Sequence, residues 1–287
     1  MNPLKILTLN TGLIEIDVPV LRYITVVHAK ELRADALIKA LRENPYDAIM
    51  LQELGGSLQK KVLRAMSDLY PHHATHRNFK LFSTHLLILS KTPLSNIRFV
   101  PFEQQTHFES WGITKGLLCA DINHNGTNYH LINTHLVASG TKASDTTPKT
   151  VRVRTHQINQ MKKFVKDHYH NDDIVIIGGD FNSGPFSGSE NYNVIIDELS
   201  DCMTCASESD RITWSPENPL ARKSTRRDPH KQLDGFYMKH HHFEQFKDSM
   251  QITRRFVEHL EIPYKGKTVV TPVSDHYGVE MVIKKTA

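Results

Sequence analysis

The chain has 287 residues, a hydrophobic content of 39% and a formal net charge of +4 with histidine neutral. A chain of this length can form one substantial core, and no stretch has the composition of a linker between domains. We therefore expect a single domain over residues 1–287. No run of eighteen apolar residues occurs, which excludes an apolar membrane-spanning helix. Three cysteines are too few for a disulfide framework and favour a reducing compartment.

The N-terminal segment MNPLKILTLN has a short apolar run but lacks the longer apolar stretch and small-residue cleavage site of a signal peptide. We therefore expect a cytoplasmic protein, or one exported by a route other than the Sec pathway. The mild positive charge suits an anionic substrate, although a surface with excess lysine explains it equally well.

Short strand-like runs alternate with amphipathic helical stretches along the chain, which indicates a mixed α/β architecture. Strands are predicted at Lys5–Asn10, Ala48–Gln52, Leu86–Ser90, Leu117–Asn123, Asn128–Leu136, Ile174–Phe181, Leu233–Met238 and Tyr277–Ile283. Apolar residues at helical spacing predict helices near Ala29–Glu43, from Leu58 to Leu69 and around Ile158–Val165.

Turn signals such as Asn125-Gly126 and Thr92-Pro93 separate neighbouring apolar strands, a pattern typical of antiparallel pairing. We expect two mainly antiparallel sheets packed face to face, with helices outside them. Ser139–Thr150 and Ser215–Gln232 are rich in polar residues and are predicted as long surface loops.

Polar residues stand at the ends of these predicted strands. In DIVIIGGDFNSGP, Asp180 and Asn182 are two positions apart, so on an extended chain both can meet one ligand. The other members of the set are Asn10, Glu53, His135, Asp234, Asp275 and His276. Each alone is an ordinary surface, turn or core residue, but together they indicate a metal-dependent phosphoester hydrolase.

The chemistry of these residue types supports that interpretation. Mg²⁺ prefers oxygen ligands, and Glu53 follows the buried run AIMLQ. Imidazole has a pKa near neutrality, so His276 is a candidate base. Adjacent residues of an extended chain point in opposite directions, so we expect Asp234 to orient His276, and Asp275 to face the metal side. His135 is a candidate donor to a phosphate oxygen.

The residues also resemble a known family. Gln52-Glu53, Asn133–His135, Gly179–Asn182, Leu233-Asp234 and Ser274–His276 are similar, in this order, to the motifs of the endonuclease/exonuclease/phosphatase superfamily, which is deoxyribonuclease I-like. The resemblance runs from Leu4 to Ile283 and implies a four-layer α/β sandwich with Mg²⁺-dependent phosphoester cleavage, Mn²⁺ being the alternative ion.

The resemblance also implies roles for single residues. Glu53 becomes the principal metal ligand, with Asn10 near the metal and Asp275 completing the cluster. His276, oriented by Asp234, is the general base or a phosphate contact. The resemblance also implies that Asp180 orients or activates the attacking water, and that Asn182 and His135 hold the phosphate.

Within the superfamily, KGLLCADI at Lys115–Ile122, THLVAS at Thr134–Ser139 and the helix with Arg152, Arg154, Gln157 and Met161 resemble the neutral sphingomyelinase branch. This implies a phosphodiesterase acting on a phospholipid head group, with Lys115 and Arg154 contacting the substrate. Ser183-Gly184 replaces the Tyr-Arg typical of inositol-phosphate 5-phosphatases, and Thr11-Gly12 after Asn10 replaces the usual bulky pair.

The same motifs leave two other functions open. One is a metal-dependent nuclease, either a DNA endonuclease or an RNA 3′ exonuclease of the deadenylase type, and the other is a non-catalytic effector or binding domain. A phospholipid or a nucleic acid is the expected partner, and the sequence carries no signal for an oligomeric state.

Three further features bear on partners. Phe99, Phe102, Phe108 and Trp111 could anchor a peripheral membrane contact, although filling of the core edge is the more ordinary interpretation. The basic residues Arg222-Lys223, Arg226-Arg227 and His230-Lys231 could meet lipid head groups or a nucleic-acid backbone, or simply be solvated. His240–His242 is predicted to mark a strand end that faces water.

Overall fold

Two six-stranded sheets form the centre of the molecule. The structure is a computed structural model and describes residues 2–14, 28–76, 84–106, 114–138, 147–221, 228–257, 260–264 and 266–284. The strands in chain order are β1 Leu4–Leu13, β2 Ala48–Leu54, β3 His72–Thr75, β4 Leu87–Ser90, β5 Leu94–Pro101, β6 Gly116–His124, β7 Thr127–His135, β8 Ile174–Asp180, β9 Leu199–Asp201, β10 Asp234–Lys239, β11 Met250–Arg255, β12 Leu260–Tyr264, β13 Lys267–Thr271 and β14 Gly278–Ile283.

The first sheet has the strand order β11-β14-β1-β2-β4-β3 and the second has the order β5-β6-β7-β8-β10-β9. Each sheet contains one parallel pair, β1 with β2 and β7 with β8, while its other neighbours pair antiparallel. β12 and β13 form a separate two-stranded hairpin. The prediction of two mainly antiparallel sheets is therefore confirmed.

Helices cover the outer faces of both sheets. The described α-helices are α1 Lys30–Glu43, α2 Gly56–Met66, α3 Pro148–His168, α4 Ser189–Ile196 and α5 His240–Phe246. One apolar core fills the space between the sheets, a second lies between the first sheet and α1 with α2, and a third lies between the second sheet and α3 with α4. The described chain thus has the predicted four layers.

The alternation of side chains along the strands builds these layers. In β1, Ile6 packs into the core between the sheets, whereas Leu7 and Leu9 pack into the core under the helices. In α2, Leu58, Val62 and Met66 repeat every four residues and are buried on the same side. The two-residue repeat of the strand and the 3.6-residue repeat of the helix therefore bury their apolar side chains in the same core.

The loop predicted at Ser139–Thr150 ends earlier than expected, because a helix begins within its predicted range. Thr147 caps α3 by accepting a hydrogen bond from the Thr150 backbone amide, and Pro148 begins the helix. This capping box ends the loop three residues earlier than expected, and residues 139–146 lie outside the described residues.

The structure distinguishes the two interpretations of the described aromatic residues. Phe102 is only 3% exposed and packs in the core beside α3, while Phe99 is half-buried and stacks on His76. The core-edge interpretation therefore holds for these two residues, and Phe108 and Trp111 lie outside the described residues. Neither described phenylalanine is placed as an exposed membrane anchor.

The basic cluster and the three histidines each contain one buried residue that differs from expectation. Lys231 is buried with its ammonium 4.6 Å above the Trp214 ring, while residues 222–227 lie outside the described residues. His240–His242 follows directly on the end of β10 at Lys239, with His240 and His241 exposed as expected, but it begins α5 and His242 is buried. None of the described helices is long and apolar enough to cross a bilayer.

Candidate active site

The predicted site residues meet at one end of the sandwich because of strand direction. Asn10 and Glu53 lie near the carboxyl ends of the parallel strands β1 and β2. In the second sheet, His135 and Asp180 stand opposite each other at the ends of β7 and β8, and Asp180 also pairs with Asp234, the first residue of antiparallel β10. The topology therefore gathers residues that are far apart in sequence.

Asp180 is the hub of this cluster. Its Oδ2 accepts a hydrogen bond of 2.9 Å from Asn10 Nδ2, and its Oδ1 accepts one of 2.9 Å from the Asn182 backbone amide. His135 Nε2 lies 3.5 Å and His276 Nε2 lies 3.9 Å from Oδ2. One buried carboxylate thus contacts groups from both sheets.

His276 and Asp234 form a close pair. His276 Nδ1 and Asp234 Oδ2 are 2.8 Å apart, and both residues are buried. Burial lowers the pKa of His276, but Asp234 and Asp180 raise it, and the net pKa lies well above its usual value. Burial raises the pKa of Asp234 to about 6 although His276 opposes this. We infer an imidazolium held against a carboxylate at neutral pH. The expected pairing of His276 with Asp234 rather than Asp275 agrees with this geometry.

Glu53 and Asp275 form the acidic side of the site. Burial raises the pKa of Glu53 to about 7, and the charges of Asp275 and Asp180 add to this effect. Among the described residues, the Glu53 carboxylate accepts no hydrogen bond, and His135 Nε2 is 3.9 Å from its Oε1. A carboxylate that is buried beside other carboxylates is stabilised when a cation binds there.

The donor types fit the predicted metal. Glu53, Asp275 and the amide oxygen of Asn10 are hard oxygen ligands, which suit Mg²⁺. A different set, Asp180, Asp234 and His276, has donor atoms within 4.8 Å of one another. We prefer the first set because the Glu53 carboxylate accepts no hydrogen bond among the described residues, whereas His276 Nδ1 and Asp234 Oδ2 already engage each other. In the first set Asn10 Oδ1 accepts a bond of 3.0 Å from the Gly12 amide, and its second lone pair is left for a metal.

His135, Asn182 and Lys115 line the neighbouring wall. Burial, together with the positive charges of Lys115 and His276, lowers the pKa of His135 well below its usual value, so its ring is neutral. Lys115 Nζ donates a hydrogen bond of 2.7 Å and Asn182 Nδ2 one of 3.1 Å to the Leu136 carbonyl. Lys115 therefore lies beside the site but is buried and held by the backbone.

The structure corrects the predicted role of Arg154. Its side chain is fully buried, with Nε donating to the Val137 carbonyl at 2.9 Å and Nη1 donating to Asn191 Oδ1 at 3.2 Å. A guanidinium enclosed in this way joins α3 to the chain after β7 and is closed to solvent in this arrangement. Sequence pattern alone could not distinguish a buried arginine from an exposed one on the same helix.

A buried polar layer beneath the site was not predicted. Gln52 Nε2 donates to Thr8 Oγ1 at 3.0 Å and to Asn133 Oδ1 at 2.8 Å, and Asn133 Nδ2 donates to the carbonyls of Leu51 and Leu87. These bonds join the two sheets below the candidate site residues. The signal was present, since Gln52 and Asn133 interrupt apolar strands next to Glu53 and His135.

Two further residues fix the last segment of the site: Ser274, which the sequence identified only as part of a motif, and Thr213, which it did not identify. Ser274 Oγ donates to the Asn10 carbonyl at 2.7 Å and accepts from the His276 amide at 3.2 Å. Thr213 Oγ1 accepts from the backbone amides of Leu233 and Asp234. Serine and threonine in loops carry little sequence signal, because only the tertiary contact distinguishes them.

Known proteins similar to this chain include sphingomyelinases. The chain is 26% identical over 202 residues to a putative neutral sphingomyelinase of Drosophila melanogaster, a match that covers 68% of this chain and 44% of that protein. It is 33% identical over 78 residues to sphingomyelinase C of Bacillus cereus, covering 27% of this chain and 23% of that protein. The matched parts span less than half the length of these relatives.

Solved structures share the fold at lower identity. SmcL superposes with a TM-score of 0.80 at 21% identity, covering 98% of this chain and 99% of that chain. A beta toxin variant from Staphylococcus aureus with bound magnesium ions gives 0.78 at 20% identity, covering 99% and 100%. TDP2 from Caenorhabditis elegans gives 0.70 at 16% identity, covering 99% and 74%.

The sequence model of the Endonuclease/Exonuclease/phosphatase family matches residues 7–276. This match includes each strand end that contributes a residue to the cluster around Asp180, and it agrees with the resemblance found in the motifs. The chain therefore belongs to the Endonuclease/Exonuclease/phosphatase family.

Proposed function

We propose that this protein is a Mg²⁺-dependent phosphodiesterase that releases the head group of a phospholipid of the sphingomyelin type. The observation that carries the proposal is the meeting of Asn10, Glu53, Asp180 and the His276 and Asp234 pair at one end of the sandwich. These groups have the chemistry that phosphoester hydrolysis needs, and relatives named as sphingomyelinases match the chain.

Glu53, Asn10 and Asp275 would hold the metal. Bound Mg²⁺ would supply positive charge that offsets the charge of the phosphate in the transition state. Asp180, fixed by Asn10 and Asn182, orients the attacking water and accepts its proton.

The two histidines would act on the phosphate from beside Asp180, since their Nε2 atoms lie 3.5 Å (His135) and 3.9 Å (His276) from its Oδ2. The raised pKa of His276 favours a charged contact with the phosphate over a general base, and this contact is the second of its two expected roles. In this proposal the same imidazolium also gives its proton to the leaving oxygen. Asp234 keeps the ring oriented at 2.8 Å. Neutral His135 contacts a phosphate oxygen. Overall, water adds across the phosphorus–oxygen bond, and the leaving oxygen takes the proton from His276.

The distribution of exposed apolar side chains favours a lipid substrate. Among the described residues, the large apolar side chains most exposed to solvent are Leu32, Ile97, Phe186, Ile196, Val257 and Val270. Four of them belong to segments that adjoin the site, and we call Leu32, Phe186, Val257 and Val270 the apolar rim. Apolar side chains exposed in segments beside a site would suit contact with an apolar surface.

Three of the rim residues are close in sequence to residues that contact segments of the site. Leu32 precedes Arg33, whose guanidinium donates to the Gly12 and Val273 carbonyls. Val257 follows β11, whose last residue Arg255 pairs with Gly278, two positions after His276. Val270 precedes Val273 in the chain.

The second arm of the rim comes from the strand that carries Asp180. Phe186 is 49% exposed at the tip of a tight turn in which Gly184 and Ser187 exchange backbone hydrogen bonds. Asn182, which contacts Asp180, lies two residues before this turn.

Purified protein should be assayed with Mg²⁺ on sphingomyelin vesicles and, in parallel, on labelled DNA and RNA. We expect release of the phosphorylated head group that disappears with EDTA and in Glu53→Gln, while Glu43→Gln, an exposed change on α1, retains it. Cleavage of nucleic acid without head-group release would replace the lipid substrate with the nuclease alternative. Absence of hydrolysis on every substrate would favour the non-catalytic alternative.

A further inference from the structure

We propose that Thr11 and Gly12 are positioning residues that set the placement of Glu53 and Asp275 relative to each other. The inference rests on the proposed function, because it takes these two carboxylates as ligands of the metal. It assigns a purpose to a pair of residues that the sequence comparison identified only as a departure from the usual motif.

Thr11 holds the backbone of Glu53. Its side chain is buried, and its hydroxyl lies 3.0 Å from the Gln52 carbonyl and 3.1 Å from the Glu53 carbonyl. A hydroxyl has one proton, so these two acceptors share it. The contact falls where the regular pairing of β1 with β2 is interrupted, between Asn10 and Leu13.

Glu53 needs such support because of its own backbone. Its φ angle is +54°, in the left-handed region that a residue with a side chain rarely adopts. A conformation of this kind persists only where the surroundings impose it. The Thr11 hydroxyl acts on the residue before Glu53 and on Glu53 itself, so it fixes the direction in which the carboxylate leaves the strand.

Gly12 provides the space for Asp275. It has φ of +56°, and a Cβ built at this position would lie 2.3 Å from Asp275 Oδ1. The Asp275 carboxylate therefore packs directly against the glycine backbone. Thr11 and Gly12 are adjacent, so one short segment of β1 touches the backbone of one carboxylate residue and the side chain of the other.

Arg33 keeps this segment in register with the chain that carries Asp275. It is buried in α1, and its guanidinium donates to the carbonyls of Thr11 at 2.8 Å, Gly12 at 3.2 Å and Val273 at 2.8 Å. The positions of both carboxylates, Glu53 and Asp275, therefore depend on the end of β1. A change of either contact should alter metal affinity before it alters the fold.

The test is binding of Mn²⁺ to the purified full chain without substrate, followed by electron paramagnetic resonance. We expect Thr11→Val, which removes the hydroxyl, and Gly12→Ala, which displaces Asp275, each to weaken Mn²⁺ binding about tenfold, the effect typical of residues that orient metal ligands. Thr11→Ser keeps the hydroxyl and should bind within twofold of the parent.

Two controls match the chemistry of these variants. Thr75→Val removes a hydroxyl that donates to the Leu86 carbonyl on an edge strand. Gly126→Ala introduces a side chain at φ of +80°, where nothing lies within 4 Å of the new Cβ. Both should lower thermal stability without changing Mn²⁺ affinity.

The outcomes separate this inference from the proposed function. If the parent protein binds no Mn²⁺ and hydrolyses nothing, the proposed function fails. If the parent binds Mn²⁺ and both Thr11→Val and Gly12→Ala bind it equally well, the positioning role is overturned. Should one of the two variants not fold, the other decides, with circular dichroism confirming its fold.

Discussion

Asn10 donates its side-chain amide to Asp180 over 2.9 Å, and this bond joins the end of the first sheet to the end of the second. The two residues are 170 positions apart in the chain. Because Asp180 is the residue proposed to orient the attacking water, its position depends on the packing of one sheet against the other. A substitution that shifts one sheet relative to the other should therefore displace Asp180 through its bond to Asn10 and so change the rate of hydrolysis.

Asn10→Ala should reduce turnover about 100-fold and destabilise the fold by roughly 1 to 3 kcal/mol, since it removes one of the donors to a buried carboxylate. Urea unfolding and steady-state kinetics on sphingomyelin vesicles measure the two effects. Asn123→Ala is the control, because Asn123 donates to Asn128 within one exposed hairpin. Full turnover in Asn10→Ala would contradict the bridging role.

The site shows what the sequence could and could not predict. Strand ends and motif order located Asn10, Glu53, Asp180 and His276 because each follows or precedes an apolar run whose direction is readable. The bond from Asn10 to Asp180 was not predictable, since it depends on how two sheets face each other. The burial of Arg154 was missed for a related reason, as helical periodicity does not reveal which polar side chain a neighbouring loop encloses.

Asp234→Asn should lower the pKa of His276, because the carboxylate that raises it is replaced by a neutral amide. The imidazolium would then lose its proton at lower pH, and we expect turnover at pH 7 to fall by about 100-fold or more. NMR titration of the histidine ring and kinetics provide the measurements.

Asp121→Asn is the matched control for that experiment. Asp121 Oδ1 and His130 Nδ1 form a similar pair at 2.7 Å on the outer side of the second sheet. Its loss should leave turnover within about twofold, because His130 takes no part in the proposed chemistry. An equal loss of turnover in both variants would mean that the Asp234 effect is structural.

The pKa of Glu53 predicts a pH dependence of stability for the metal-free protein. Its folded-state pKa of about 7 lies above the ordinary value of 4.5, so the folded protein binds the proton more tightly than the unfolded chain. The free energy of unfolding should therefore fall as pH rises from 4.5 to 7, by at most about 3 kcal/mol from this group.

Urea unfolding in EDTA at pH 5 and pH 8, compared between the parent and Glu53→Gln, isolates the Glu53 contribution from other groups. Asp234 acts in the same direction, and His276 loses its stabilising charge as pH rises through its raised pKa, so only the difference between the two proteins is diagnostic. Glu53→Gln should be the more stable protein at pH 8 without metal. If the parent and Glu53→Gln had the same free energy of unfolding at pH 5 and at pH 8, the predicted cost of burying the Glu53 charge would be contradicted.

Arg154→Met should destabilise the fold by roughly 3 kcal/mol and leave KM unchanged, since the guanidinium serves the Val137 carbonyl and Asn191 rather than a substrate. Arg152→Met, on the exposed side of α3, should have little effect on stability. Chemical denaturation and vesicle kinetics at a temperature where both variants are folded measure this. A raised KM with unchanged stability would restore the predicted substrate contact.

The apolar rim predicts that substitutions in it reduce the hydrolysis of lipid vesicles but not that of a soluble substrate. Phe186→Ser and Val270→Ser remove apolar side chains that are each 49% exposed at the site end, and transfer of one such side chain into a lipid surface is worth about tenfold in binding. We therefore expect hydrolysis of sphingomyelin vesicles to fall about tenfold in each variant. Hydrolysis of a soluble, short-chain substrate should stay within twofold, because neither residue contacts the cluster around Asp180.

Ile97→Ser provides the control for that split, since Ile97 is 48% exposed but lies on the edge strand β5, away from the site. It should leave both activities unchanged, and co-sedimentation with vesicles should show the same order of effects as the kinetics. An equal loss on vesicles in all three variants would mean that general surface hydrophobicity drives binding. An equal loss on both substrates in Phe186→Ser would instead make Phe186 part of the catalytic site, because its effect would no longer depend on a lipid surface.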